Sequence, residues 1–231
     1  MYESQLRENL SLVREAIGAA AFRSGRERQA VTLVAVTKSH PPEAIRAALA
    51  LGIRDIGENR MEELGEKVGL LGPDAATWHM VGHLQSRKAR QAVGAVDLLH
   101  SLDTLKLANR LSTFASEDGL QLPVLIQVNV SGEEVKSGFP ADRAVEAIHQ
   151  ILGLPGLVVR GLMTMAPFVD DEKLLRRTFA GLRRMLEEAG RLPGFVGQEL
   201  SMGMTHDFEL AVEEGSTMVR IGTALFGERP R

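Results

Sequence analysis

Eight times along the chain a short apolar or β-branched run is followed by a stretch with helical spacing, and no other feature limits the fold as tightly. The runs are VTLVAVTK (31–38), IRDIGEN (53–59), WHMVGH (78–83), VDLLHSLD (96–103), PVLIQVNV (123–130), LVVRGLMTM (157–165), ELSMGM (199–204) and STMVRIGTALFG (216–227). Short strands alternating with longer amphipathic segments imply parallel strands joined by helical crossovers. Eight such units in 231 residues match the size of an eightfold barrel. After the first run, SHPPEAIRAALALG has prolines where a helix can begin and Gly52 where it can end, and RMEELGEKVGLL follows the second. Helices are predicted at 84–92, 104–118, 140–152, 171–190 and about 206–215. A further stripe, Leu6, Leu10, Val13, Ile17 and Ala20 or Ala21, precedes the first strand. The expected fold is therefore α/β, a (β/α)8 TIM barrel over 1–231 with an extra N-terminal helix, in one domain because no Pro/Ser-rich linker divides it. The rival, an open doubly wound sheet, lacks the GxGxxG that would open a helix after its first strand.

Composition narrows the chemistry. Cysteine is absent, which excludes disulfides, thiolate metal sites and a cysteine nucleophile. A net charge of −3 with 4% aromatics argues against nucleic-acid binding. The start, MYESQLRENL, is polar, and no run approaches the roughly 20 apolar residues of a membrane span. The expectation is a soluble cytoplasmic protein with no membrane partner.

In VTLVAVTK, Thr32, Val34, Val36 and Lys38 share one face of a strand and Val31, Leu33, Ala35 and Thr37 the other. Both faces are largely apolar, as in a parallel strand covered by helices, and the run delivers an amine to the strand's C-terminal end. Lys38, Asn59, His83, Asp103 and Arg220 all fall at or near such ends, where barrel active sites lie. Loops after strands 7 and 8 of such barrels frequently hold a phosphate. Gly222 and Thr223 suit that task, with Ser201 and Gly203 opposite, although IGTALFG also reads as an ordinary strand end and helix start. On TMVRIG, Val219 and Ile221 face one side and Met218, Arg220 and Gly222 the other, so the arginine points inward. A guanidinium there needs an acceptor: a protein carboxylate, or a ligand's ring nitrogen or phosphate. An amine, a phosphate cradle and an inward arginine together suit a phosphorylated aldehyde. An apolar cavity and a nearby cation would lower the lysine from its ordinary pKa of about 10.4 toward the reactive unprotonated form. Pyridoxal 5′-phosphate meets all of these requirements.

The chain resembles the pyridoxal-phosphate homeostasis proteins, which are similar in fold to the barrel domain of alanine racemase. The motifs that carry the resemblance are AVTK (35–38), GENR (57–60), WHMVGHLQ (78–85), QVNVSGEEVKSGF (127–139), RGLMTMAP (160–167) and SMGMTHDFELAVEEGSTMVRIGTALFG (201–227). The resemblance implies that Lys38 forms the internal aldimine and that Arg220 lies against the pyridine nitrogen. It also implies that Ser201, Gly222 and Thr223 hold the phosphate and that Asn59 lies beside the cofactor. Two departures are visible: the family often reads LQSNK where Leu84, Gln85, Ser86, Arg87 and Lys88 stand, and often has serine at Thr205.

His83 is a further candidate for contacting the cofactor, whereas His79, among strand residues, reads as a satisfied core histidine. The HxxxH spacing of the two suits a metal only on a helix, and no third ligand accompanies it, so no metal is expected. Lys136 is a candidate second amine at the barrel mouth. The cluster Arg87, Lys88 and Arg90 reads as a solvated helix face, and methionines 163, 165, 202 and 204 as core. The expectation is a non-catalytic carrier that stores, buffers or delivers the cofactor within the cell, a monomer with apoenzymes as partners. One rival is a racemase, for which the resembling enzymes use a tyrosine as second base. Here the only tyrosine is Tyr2, before the first helix. A Schiff-base lyase acting on a phosphorylated sugar is the other, with Asp103 or Glu58 as its acid or base.

Overall fold

In the computed structural model, which describes residues 2–133 and 137–228, eight parallel strands close into a barrel. They are β1 (Thr32–Val36), β2 (Asp55–Glu58), β3 (Thr77–Met80), β4 (Leu98–Leu102), β5 (Leu122–Asn129), β6 (Leu157–Met163), β7 (Glu199–Ser201) and β8 (Met218–Ile221). Each pairs with its neighbours in sequence, and β8 returns to β1 with Arg220 beside Val34. A two-residue strand, Phe139–Pro140, adds to the end of β5.

The helices are α1 (Tyr2–Arg23), α2 (Pro42–Ala50), α3 (Met61–Leu71), α4 (Ala89–Ala92), α5 (Leu105–Glu117), α6 (Ala144–Leu152), α7 (Glu172–Ala189), α8 (Phe208–Glu213) and α9 (Thr223–Phe226). Thus α1 is the extra helix and one helix follows each barrel strand. Pro42 occupies the first turn of α2, where its missing N–H costs nothing. Thr104 and Asp171 cap α5 and α7 by accepting from the Leu107 and Leu174 amides at 3.2 and 3.1 Å.

The strand parity read from the sequence holds. Ala35, Val219 and Ile221 face outward into a layer shared with Leu6, Leu10, Val13 and Ile17 of α1. Burial of each of those four is worth roughly 1.5–3 kcal/mol. Because α1 lays this stripe beside α2, α8 and α9, it seals the β8–β1 side of the barrel. Inside the lumen, Leu98, Leu125, Met163 and Met218 form one small cluster, and Val34, Val36 and Val81 another.

Several elements are shorter than the sequence predicts, two of them most clearly. The helix expected at 84–92 is a 3₁₀ turn, Ser86–Lys88, followed by the single turn of α4. Ahead of it, the Val81 and Gly82 amides donate to the Glu58 carbonyl at 2.9 and 3.4 Å, carrying the β2–β3 pairing past Met80 to the cavity wall. The seventh strand stops at Ser201, because Gly203 turns the chain with a φ of +94°. An added Cβ at Gly203 would lie 2.6 Å from the Ala211 side chain.

Candidate functional site

The C-terminal strand ends enclose a cavity of about 360 Å³, within the range of small-molecule sites. Lys38, Asn59, His83, Arg220, Gly222 and Thr223 stand on its wall, so the structure brings six of the seven residues expected from the sequence to one place. Gln127, Met165, Met204 and Thr205 complete much of the rest.

Lys38 lies two residues beyond β1 and is half-buried. Both of its neighbours are held from β2 and α3. The Thr37 hydroxyl donates to Glu58 Oε1 at 2.5 Å, and the Ser39 amide donates to Glu63 Oε2 at 2.9 Å. Lys67 Nζ donates to the Thr37 carbonyl at 2.9 Å and to Glu58 Oε1 at 2.6 Å. Ser39 has a φ of 62°, the only positive value among the described non-glycine residues, a conformation costing roughly 1–2 kcal/mol. The anchors on either side therefore fix where the Lys38 side chain leaves the backbone.

Arg220 points into the barrel from β8 and is only 5% exposed. Its Nη1 donates to Ser201 Oγ at 2.5 Å and its Nη2 to the Thr164 carbonyl at 2.9 Å. Among the described residues no carboxylate lies within ion-pair distance of it. Burial lowers its pKa to about 10, opposed by the charge of Asp207, so the group remains cationic at neutral pH. A guanidinium has five N–H donors. Its partners here are neutral, and the residue borders the cavity.

Ser201 does not join the wall. It is fully buried beneath Arg220, where its hydroxyl meets the guanidinium and, at 2.8 Å, His100 Nδ1. It faces the barrel interior but lies beneath Arg220 and off the cavity wall. Thr205 takes its place opposite Thr223, accepting from the Ala224 amide at 3.4 Å and so linking the loops after β7 and β8. Asp207 shapes the first of those loops by accepting from the Met204 amide at 2.6 Å. Burial pushes the Asp207 carboxyl up, against the pull of that amide and of Arg220.

Asn59 and the β3 end are in direct backbone contact, because a Cβ at Gly82 would sit 2.3 Å from the Asn59 carbonyl. His83 is exposed at the rim, with Nδ1 2.9 Å from Asp103 Oδ2. His79 is buried with both ring nitrogens occupied, by His100 and Asp55. Glu58, an acid or base for a lyase, is absent from the wall: it is fully buried and paired with Lys67. Lys136 lies outside the described residues. Sequence reasoning missed His100, although it stands two residues after the lumen residue Leu98 and so shares its inward parity. It also missed the anchoring role of Lys67, signalled by a lysine on the buried stripe of α3 with Met61 and Leu64.

Residues 4–230 match the family described as alanine racemase, N-terminal domain. A pyridoxal phosphate homeostasis protein of Aquifex aeolicus (strain VF5) is 41% identical over 222 residues, covering 96% of this chain and 97% of that one. Among solved structures, PipY of Synechococcus elongatus PCC7942 with PLP bound matches with a TM-score of 0.84 at 37% identity, over 96% of this chain and 100% of that chain. An alanine racemase of Clostridium difficile 630 shares the fold alone, with a TM-score of 0.75 at 17% identity over 99% of this chain and 58% of that one.

Proposed function

Since the chain belongs to the pyridoxal phosphate homeostasis protein family, within the group that shares the alanine racemase N-terminal domain, we propose that it binds pyridoxal 5′-phosphate as a carrier and not as an enzyme. It stores, buffers or hands over the cofactor to apoenzymes. The observation that carries this reading is the pairing of a half-buried lysine with a buried arginine, held by neutral partners, on one small cavity. Lys38 has the chemistry to take the cofactor's aldehyde as a Schiff base, and Arg220 has unused donors for the pyridine nitrogen. Gly222, Thr223 and Thr205 offer backbone and hydroxyl donors to the phosphate, with Asn59 and His83 at the side. When bound, the cofactor supplies an electron sink. A permanently charged arginine at its nitrogen weakens that sink, and the wall holds no tyrosine to serve as a second base.

Mixing the purified protein with pyridoxal phosphate is expected to produce the visible absorbance band of a Schiff base, and Lys38→Ala to remove it. An unchanged spectrum on mixing ends the proposal. Racemisation of alanine by the loaded protein at about 1 per second or faster, in the ordinary range of enzymes, would overturn its non-catalytic part.

A further inference from the structure

The lumen of an eightfold barrel is ordinarily filled by stacked apolar side chains, yet a file of hydrogen-bonded polar groups crosses this one. Arg220 Nη1 lies 2.5 Å from Ser201 Oγ, which is 2.8 Å from His100 Nδ1. His100 Nε2 is 2.8 Å from His79 Nδ1, and His79 Nε2 is 3.0 Å from Asp55 Oδ1. Five strands contribute, and every member except Asp55 is at most 5% exposed. The file begins at the mouth cavity and ends at a second cavity of about 240 Å³ beside the N-terminal ends of β1 and β2, where Asp55 lies beside Arg54.

The two ends decide the direction of every bond between them. A guanidinium can only donate and a carboxylate can only accept. His100 is kept neutral, first by burial and then by its neighbours His79 and Arg220, so it has one donor and one acceptor nitrogen. With one proton on each ring, a single arrangement uses every group once. Arg220 donates to Ser201, the Ser201 hydroxyl donates to His100 Nδ1, His100 Nε2–H donates to His79 Nδ1, and His79 Nε2–H donates to Asp55. Bonds aligned head to tail in this way polarise one another.

We propose that Ser201 and His100 are positioning residues for Arg220. The file fixes the guanidinium's orientation and leaves its remaining N–H groups aimed at an acceptor in the mouth cavity. This assigns Ser201 to the ring-facing arginine and not to a phosphate. It rests on the cofactor reading for the identity of the acceptor, but not for the arrangement of the file itself.

The arrangement is tested on the protein without cofactor. Ring nitrogen-15 NMR at neutral pH is expected to give both histidines as neutral rings protonated at Nε2. A His100 protonated at Nδ1, or charged, overturns the file whatever the cofactor does. The positioning role is tested with Ser201→Ala and pyridoxal phosphate. Loss of one buried hydrogen-bond partner is expected to weaken binding about tenfold and to shift the visible band, while competition by inorganic phosphate stays at the wild-type level. Ser201→Thr, which restores a hydroxyl, is expected to recover the band position. A Ser201→Ala protein with wild-type affinity and band, or one in which phosphate competition falls in parallel, overturns the assignment. His100→Asn against His100→Leu is a second pair: the amide oxygen can accept from Ser201 where leucine cannot, so only Asn should retain the band. Equal behaviour of the two overturns the role of His100. Absence of any band in the wild-type protein would instead mark failure of the cofactor reading.

Discussion

Two buried cations flank the site and are treated in opposite ways. Lys67 on α3 is 6% exposed and meets the Glu58 carboxylate at 2.6 Å, so its charge is neutralised between helix and barrel. Arg220 is 5% exposed and meets a hydroxyl and a carbonyl, so its charge is left standing on the cavity wall. Equal burial therefore has two meanings. A buried ion paired with a carboxylate and turned away from the cavity braces the structure. One held by neutral groups beside a cavity is poised to meet a ligand. Lys67 does its part indirectly, by clamping the backbone carbonyl of Thr37 next to Lys38.

The largest effect expected from this contrast is on stability. Lys67→Met strands the Glu58 carboxylate, whose Oε2 already lacks a hydrogen-bond partner, and should cost about 3–5 kcal/mol. Thermal melting of the protein without cofactor would read this as a drop of roughly 10 °C. A loss below about 1 kcal/mol, the level of an exposed ion pair, would mean that the pair braces nothing.

The converse prediction concerns Arg220. Arg220→Met removes a desolvated charge that has no ion-pair partner among the described residues, so melting should move by about 1 kcal/mol or less. Pyridoxal phosphate affinity should fall by about 10–100-fold, or roughly 1.4–2.8 kcal/mol. Destabilisation as large as that of Lys67→Met would erase the distinction between the two cations.

The contrast was only half legible in the sequence. Period-two alternation sends Arg220 inward and Val219 outward, and it delivers Lys38 to a strand end, so both could be read from their own strands. Alternation gives the face of a residue but not its depth. For Ser201, whether the side chain meets a ligand or an arginine depends on how far β7 is staggered against β8, which no local pattern records. The partners of His100 come from β3 and β7, and no local spacing joins positions 79, 100 and 201. The fold was more legible than the site because each strand–helix unit announces itself locally. The 84–92 segment, which spacing reads as one helix, instead forms a 3₁₀ turn and a single α-turn.

A double variant sharpens the assignment of the brace. Adding Glu58→Gln to Lys67→Met replaces the stranded charge with a neutral amide that can still accept from Thr37. It should recover about 1–3 kcal/mol of the loss, read as a partial return of the melting temperature. If the double variant is no more stable than Lys67→Met, the cost comes from lost packing of the lysine stem and not from the carboxylate.

The smallest effect is the dependence on pH, and its sign follows from Glu58. Burial raises the folded pKa of this carboxyl above its ordinary 4.5, against the opposing pull of Lys67 and Thr37. The folded chain therefore holds the proton more tightly than the unfolded chain does. The associated stability is fully present below the ordinary value and is lost as pH rises through the folded one. Removing Lys67 deletes one of the two groups that lower the folded value, so the window extends upward in Lys67→Met. The stability gap between wild type and this variant should then narrow on acidification from about pH 7 to about pH 5, by up to roughly 1.4 kcal/mol per unit of added shift. Chemical denaturation at several pH values reads it directly. A gap that stays constant across that range would mean that Glu58 is not the group left uncompensated, and the opposition between a closed and an open buried cation would lose its electrostatic basis.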